Sequence, residues 1–365
     1  MYLHFCGHGC GPLCQADRPA RPGSAQRGRR PFTVDLHCHV LVPAVEALVA
    51  GRPQKMAEPG IMRATMGEAS VAHNNAVMLP KAFLKLTNIH HRLADMDEMG
   101  VDVQVVSPSP TQYYYWADDD LAERVVAVQN EAIAELAAAH PGRIVGLGTA
   151  ALQNPAMAVA QLRRAVRELG LKGVEISTSV NGKELSDPAL RPFWAEAEAL
   201  GATVFIHPFG TTLGDRTNTH YLVNTIGQPL ETTVALSHLI FGGVLDAYPG
   251  LKIVAAHGGG YLPTYPGRSR HAWQVRPESA TDALTDPAAL LRLIWYDTVV
   301  YDAVAVRHLI DRVGVSQVVV GTDYPFDMGH YDVHGLIGGV PGLDDPDRAA
   351  ILGGNAAALL GLEGR

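Results

Sequence analysis

Two histidines one residue apart, His37 and His39, close the run Phe32-Thr-Val-Asp-Leu-His-Cys-His-Val40. Side chains alternate faces along a strand, so Asp35, His37 and His39 share one side while Leu36 and Cys38 share the other. Two imidazoles on one face can reach a single ion. Neutral imidazole is a good ligand for zinc and other divalent metals, and catalytic zinc sites take three protein ligands and leave a position open. In a chain with 16 His, one His-x-His has a chance reading as well. The remaining strong ligands narrow it. His207 ends Val204-Phe-Ile-His-Pro208, His257 ends Ile253-Val-Ala-Ala-His257 before three glycines, and Asp323 follows Val320-Gly-Thr-Asp323. Each alone could be a core polar group satisfied locally. Recurring at the ends of successive apolar runs, they predict a divalent metal site with an acid–base group beside it, since an imidazole, with an ordinary pKa of about 6.5, both takes and gives a proton near neutral pH.

The elements that must position these groups are short runs rich in Val and Ile: Val101 to Ser107, Ile144 to Thr149, Gly173 to Ser177, Thr203 to His207, Lys252 to His257, Tyr296 to Tyr301 and Gln317 to Thr322. With the opening run they make eight. Helical stretches lie between them at Leu121 to His140, Pro155 to Leu169, Pro188 to Leu200 and Leu230 to Tyr248, several with Pro at the start and Gly just past the end. Eight unbroken apolar strands alternating with helices predict an α/β fold, a (β/α)8 TIM-type barrel, whose chemistry gathers at the C-terminal strand ends. An open doubly wound sheet would more often begin with a glycine-rich phosphate turn, and no Gly-x-Gly-x-x-Gly follows the first strand. Residues 41–92, with scattered Met, Pro and Gly, read as a long irregular insertion over the barrel mouth. The expected division is an N-terminal extension and linker over residues 1–30 and one barrel over residues 31–365.

Composition bounds the partners. Charged residues are 18% of the chain and the formal net charge is -8, which argues against nucleic acid or an anionic membrane. No apolar stretch reaches the roughly 18–20 residues needed to span a bilayer. Arg18, Arg21, Arg27, Arg29 and Arg30 precede no continuous apolar segment, a poor secretory signal, so the expected location is cytoplasmic. Cys6, Cys10 and Cys14 cluster with His4 and His8, and the fourth cysteine is Cys38. That is no disulfide framework, and the Cys-x3-Cys-x3-Cys spacing matches no usual zinc pattern. The segment reads either as a flexible extension or as a small ordered or metal-binding unit.

The stretches Asp35-Leu-His-Cys-His39, Asp97-Glu-Met-Gly-Val-Asp-Val103, Gly146-Leu-Gly148, Ile206-His-Pro208, Glu231-Thr-Thr233, His257-Gly-Gly-Gly260, Gly321-Thr-Asp-Tyr-Pro-Phe326 and Gly354-Asn355 together resemble the metal-dependent, amidohydrolase-like decarboxylases. The likeness is strongest to their α-amino-β-carboxymuconate-ε-semialdehyde decarboxylase branch, with the γ-resorcylate and 5-carboxyvanillate branches further away, and it runs from about Phe32 to Leu362. The resemblance implies one divalent metal, Zn2+ first and Mn2+ second, held by His37, His39, His207 and Asp323. No lysine stands on strand four to bridge a second metal; Glu175 is there, facing substrate or packing behind the site. The resemblance implies His257 as the catalytic acid or base, with Asp323 beside it. It implies that Arg268 binds a substrate carboxylate across a homodimer interface, a job that suits a planar guanidinium. The His-Gly-Gly-Gly glycines either let backbone approach the substrate or serve a tight turn. Two departures separate this chain from that branch. Where the branch carries a second arginine, the chain has Met78-Leu-Pro-Lys-Ala-Phe-Leu-Lys85, and Phe209 stands where the branch has tryptophan. The implied function is loss of CO2 from a hydroxy-, amino- or oxo-substituted aromatic or muconate-type acid. A hydrolase or hydratase on the same barrel is the alternative, and a non-enzymatic binding protein the third reading.

Overall fold

The computed structural model describes residues 30–362. The N-terminal cluster of Cys6, Cys10 and Cys14 therefore lies outside the described residues. Eight parallel strands are present: β1 Val34–Val40, β2 Val103–Pro108, β3 Ile144–Gly146, β4 Gly173–Ile176, β5 Thr203–Ile206, β6 Lys252–Ala255, β7 Ile294–Asp297 and β8 Val318–Val319. Parallel ladders join β1 to β2 and β2 to β3, and run unbroken from β4 through β8. Two junctions close the ring. Gly148 N donates to Gly173 O at 2.9 Å between β3 and β4, and Leu36 N donates to Val320 O at 2.8 Å between β8 and β1. The expected barrel is the observed one.

Its strands are buried on both faces, as parallel strands sheathed by helices must be. The helices begin where side chains satisfy free backbone donors: Asp118 accepts from Leu121 N at 2.9 Å ahead of Asp119–Ala139, and Asn154 accepts from Met157 N at 3.2 Å ahead of Pro155–Arg167. The last helix, Asn355–Leu360, packs Leu359 and Leu360 into one cluster with Val103, Leu147, Phe205, Val254 and Val319. That apolar plug lies under the polar end.

Two expectations change. Strand seven ends at Asp297 rather than spanning Tyr296 to Tyr301, because the Asp297 carboxylate accepts from Val299 N at 3.1 Å and turns the chain there. The stretch over 41–92 is helical rather than irregular, with helices at Pro43–Val49, Pro53–Met66, Glu68–His73 and Leu79–Thr87, followed by Ile89–Met99. Pro53–Met66 buries none of its residues fully, so it has no apolar stripe from which a period could be read. The segment meets the loops that follow β5 and β8. A Cβ on Gly67 would stand 1.8 Å from Asn218 O in the loop after β5, so only glycine allows that approach. His73 Nε2 lies 3.3 Å from Asp327 Oδ2 in the loop after β8.

Candidate metal centre

Strand ends bring His37 and His39 from β1, His207 from just after β5 and Asp323 from after β8 to one point. Their four ligand atoms lie within 4.8 Å of one another, and all four residues are buried. The Nε2 atoms of His37 and His39 are 3.1 Å apart, and each is 3.3 Å from Asp323 Oδ1. The other ring nitrogens are taken. His37 Nδ1 lies 2.6 Å from Asp297 Oδ2, and His39 Nδ1 lies 3.2 Å from Pro108 O and 3.5 Å from Glu175 Oε2. Those acceptors assign the protons to Nδ1 and leave both Nε2 lone pairs facing each other and a carboxylate oxygen. Three acceptors converging without a donor repel unless a cation stands among them. His207 sharpens the point, since both its buried ring nitrogens lack a hydrogen-bond partner and its ring centroid is 4.8 Å from those of His37 and His39. The donor set, three imidazoles and one carboxylate, fits a single divalent transition-metal ion.

Without the ion, a proton on His37 takes the place of the cation. Burial opposes a charge on His37, but the Asp323 and Asp297 carboxylates outweigh it and raise its pKa to about 10. Burial and the neighbouring imidazoles push His207 well below its ordinary value. Burial would lift Asp323, yet His37 and the other imidazoles hold it well below the carboxylate range.

His257 sits beside this cluster. Its Nε2 is 3.8 Å from Asp323 Oδ2, its Nδ1 is buried without a partner, and its side chain is 11% exposed. Both His257 (φ 55°) and Asp323 (φ 58°) adopt the left-handed conformation, an unusual backbone state that collects at functional sites. The three glycines after His257 serve the turn rather than substrate approach: a Cβ would meet Val300 at 2.5 Å from Gly258, Tyr296 at 2.6 Å from Gly259, and Pro229 O at 2.0 Å from Gly260.

Asp297 is a candidate site residue that sequence reasoning missed. Beyond orienting His37, it accepts from His257 N at 3.0 Å and Gly258 N at 2.8 Å, so one buried carboxylate fixes a candidate ligand and the turn at His257 together. Its signal was the one that found the others, a polar residue ending an apolar strand. Extending the strand to Tyr301 put Asp297 near its start and hid it.

The proposed substrate contacts separate. Phe209 is 48% exposed in the loop after His207, which Glu231 pins by accepting from Thr212 N at 2.6 Å. Arg268 is exposed on the helix Pro266–Val275 and has no ion-pair partner among the described residues. Glu175 has no exposed surface; Tyr113 OH donates to its Oε1 at 2.5 Å, and its Oε2 faces His39. It stands behind a ligand, not in the open mouth. Lys85, in the stretch that lacks the branch's second arginine, is paired with Asp95 at 2.7 Å.

A closed parallel barrel with a His-x-His strand, two further ligands at strand ends and an imidazole alongside defines a metal-centred amidohydrolase-type site. The amidohydrolase family model matches residues 34–362, and the chain belongs to that family. It is 37% identical over 273 residues to 2-amino-3-carboxymuconate-6-semialdehyde decarboxylase of Dictyostelium discoideum, covering 74% of this chain and 76% of that protein. Among solved structures, it superposes on 5-carboxyvanillate decarboxylase from Sphingomonas paucimobilis with a TM-score of 0.75 and 25% identity, over 91% of this chain and 99% of that one. It shares the fold of a dihydroxybenzoic acid decarboxylase from Polaromonas sp. JS666 crystallised with bound manganese, with a TM-score of 0.74 and 23% identity over 92% and 98% of the two chains.

Proposed function

We propose that this protein is a metal-dependent, non-oxidative decarboxylase of a hydroxy-, amino- or oxo-substituted aromatic or muconate-type carboxylic acid. The observation that carries the reading is the buried convergence of the His37 and His39 Nε2 atoms on Asp323, with an unpartnered His207 and with His257 next to them. Zinc is the proposed ion, and manganese is the rival that elemental analysis separates from it. When bound, the ion supplies fixed positive charge where negative charge develops on the substrate. His257 carries the proton: as the C–COO⁻ bond breaks and CO2 leaves, the electron pair left on carbon takes a proton from its imidazolium. Asp297 holds the backbone of His257 and the ring of His37 in register for that transfer. Glu175 orients His39 rather than touching substrate.

Arg268 is assigned to a substrate carboxylate, delivered to the partner's site in a homodimer. Its exposed, unpaired guanidinium and the exposed Tyr261 and Tyr265 before it on the same surface support the assignment. Cytoplasmic residence belongs to the same reading, and among the described residues no helix is long and apolar enough to cross a membrane.

The test is elemental analysis of the purified protein, coupled to CO2 release from hydroxy- and amino-substituted aromatic acids and muconate-type acids. About one zinc per chain with CO2 released supports the proposal. Metal with a product that has gained water would move the assignment to a hydratase or hydrolase.

A further inference from the structure

Beneath the metal ligands runs a line of polar side chains that neither binds the ion nor faces the mouth: Arg92, Gln104, Asp35 and Thr322. Each is at most 1% exposed. Asp35 on β1 and Gln104 on β2 are paired in the parallel register, so their side chains meet in one layer. Asp35 Oδ2 accepts from Gln104 Nε2 at 3.0 Å and from Thr322 Oγ1 at 2.7 Å, while Oδ1 accepts from Thr322 N at 3.0 Å and His37 N at 3.3 Å. Gln104 Oε1 accepts from Arg92 Nη1 at 2.8 Å. Arg92 comes from the helix Ile89–Met99, which continues the insertion, and its Nη2 donates to the carbonyl of His39 and, at 3.2 Å, to that of Lys85. Its guanidinium also lies 4.8 Å from the ring centroid of Tyr324, the residue after Asp323.

We propose that Arg92–Gln104–Asp35–Thr322 is a positioning relay that sets the backbone of three metal ligands, His37, His39 and Asp323, and couples metal loading to docking of the insertion over the mouth. The inference rests on the four-residue metal site but not on the decarboxylase reading. A buried cation and a buried carboxylate joined through an amide do not favour stability over an apolar filling of the same volume. What they add is direction. The side-chain bonds the relay makes outside itself end on the backbone of His37, His39 and Tyr324, two ligands and the neighbour of a third, or on the insertion carbonyl of Lys85. Asp35 alone holds the N–H of His37 and that of Thr322, the residues at which β1 and the loop after β8 turn into ligands. Arg92 reaches across from the covering segment to the carbonyl of the third. Two ends of one chain of hydrogen bonds thus report on each other, and a coupling between sites is reciprocal.

Titration of the full-length, chelator-stripped protein with zinc, and with cobalt as a spectroscopic probe of ligand geometry, tests this. Wild type should take about one ion per chain, and loading should slow amide exchange over residues 85–95. Arg92→Met and Asp35→Asn should weaken zinc binding by about 10- to 100-fold. They should also shift the cobalt absorption and remove the slowing over 85–95. Arg92→Lys keeps the charge but not the fork, and should fall between them even where Arg92→Met folds poorly. Folded variants with zinc affinity within about twofold of wild type and an unchanged cobalt spectrum would overturn the relay. A wild-type protein that binds no stoichiometric ion would instead overturn the metal site on which it stands.

Discussion

The two ends of the site are built on opposite plans. At the metal end, His37, His39, His207, Asp297 and Asp323 are buried, and all but the unpartnered His207 are held by side-chain or backbone contacts fixed by neighbouring strands. Of the residues proposed for substrate, Phe209 and Arg268 stand exposed on a loop and a surface helix, and the contacts of the insertion with the loops after β5 and β8 include a close approach at Gly67 and an exposed His–Asp pair. Barrel strand ends hold geometry to fractions of an ångström because each is bonded on both sides; loops hold only what their own contacts fix. The candidate metal ligands are therefore fixed by the strand network, and the residues proposed for substrate only by their local contacts.

The sharpest way to break that contrast is His207→Ala, which should remove stoichiometric metal and activity together, measured by elemental analysis and turnover; retained metal would show that the buried end is not the ion site. His257→Asn should keep the ion yet lower kcat by roughly 10²–10⁴-fold, the usual range for a lost proton-transfer group; full activity with full metal would remove it from the mechanism. Gly321→Ala tests how tightly the buried end is packed, since its Cβ would stand 2.8 Å from the Cβ atoms of both His37 and Asp297. It should cost about 1–3 kcal/mol in stability, read by denaturant unfolding, and weaken metal binding. Arg268→Ala, at the open end, should raise KM with metal content unchanged, a loss of about 1.5–3 kcal/mol for a charged hydrogen bond. Mixed dimers of Arg268→Ala with His257→Asn should regain part of the activity if the arginine crosses the interface. The last effect is in protons. His37 is raised to about 10 without an ion and must be neutral to ligate, so loading at pH 7 should release about one proton and affinity should rise from pH 6 to pH 8. Calorimetry in two buffers of different ionisation enthalpy reads that directly.

How much was legible follows the same division. His37, His39, His207, His257 and Asp323 were readable because a polar residue ending an apolar run is a local pattern, and the barrel was readable because eight such runs repeat. Asp297 has the same pattern and was lost to a strand boundary displaced by a few residues, where local signals are weakest. The helix Pro53–Met66 was lost because it buries none of its residues fully and shows no apolar period, and Pro43–Val49 because a single buried i, i+4 pair, Val45 and Val49, is too short a signal. Glu175 could not be assigned from its position on β4, since whether a strand residue faces a ligand or the mouth depends on what lies across the barrel.

The sequence alone determined the ligand types, their order and the strand ends that carry them, since those are set by residue identity and short-range periodicity. Tertiary structure alone decided that His39 meets Glu175, 136 residues away, and that Asp297 reaches His37 across 260 residues. It also decided that Arg92 bridges the covering insertion to the metal strand, because such contacts arise only when the closed barrel brings distant strands side by side.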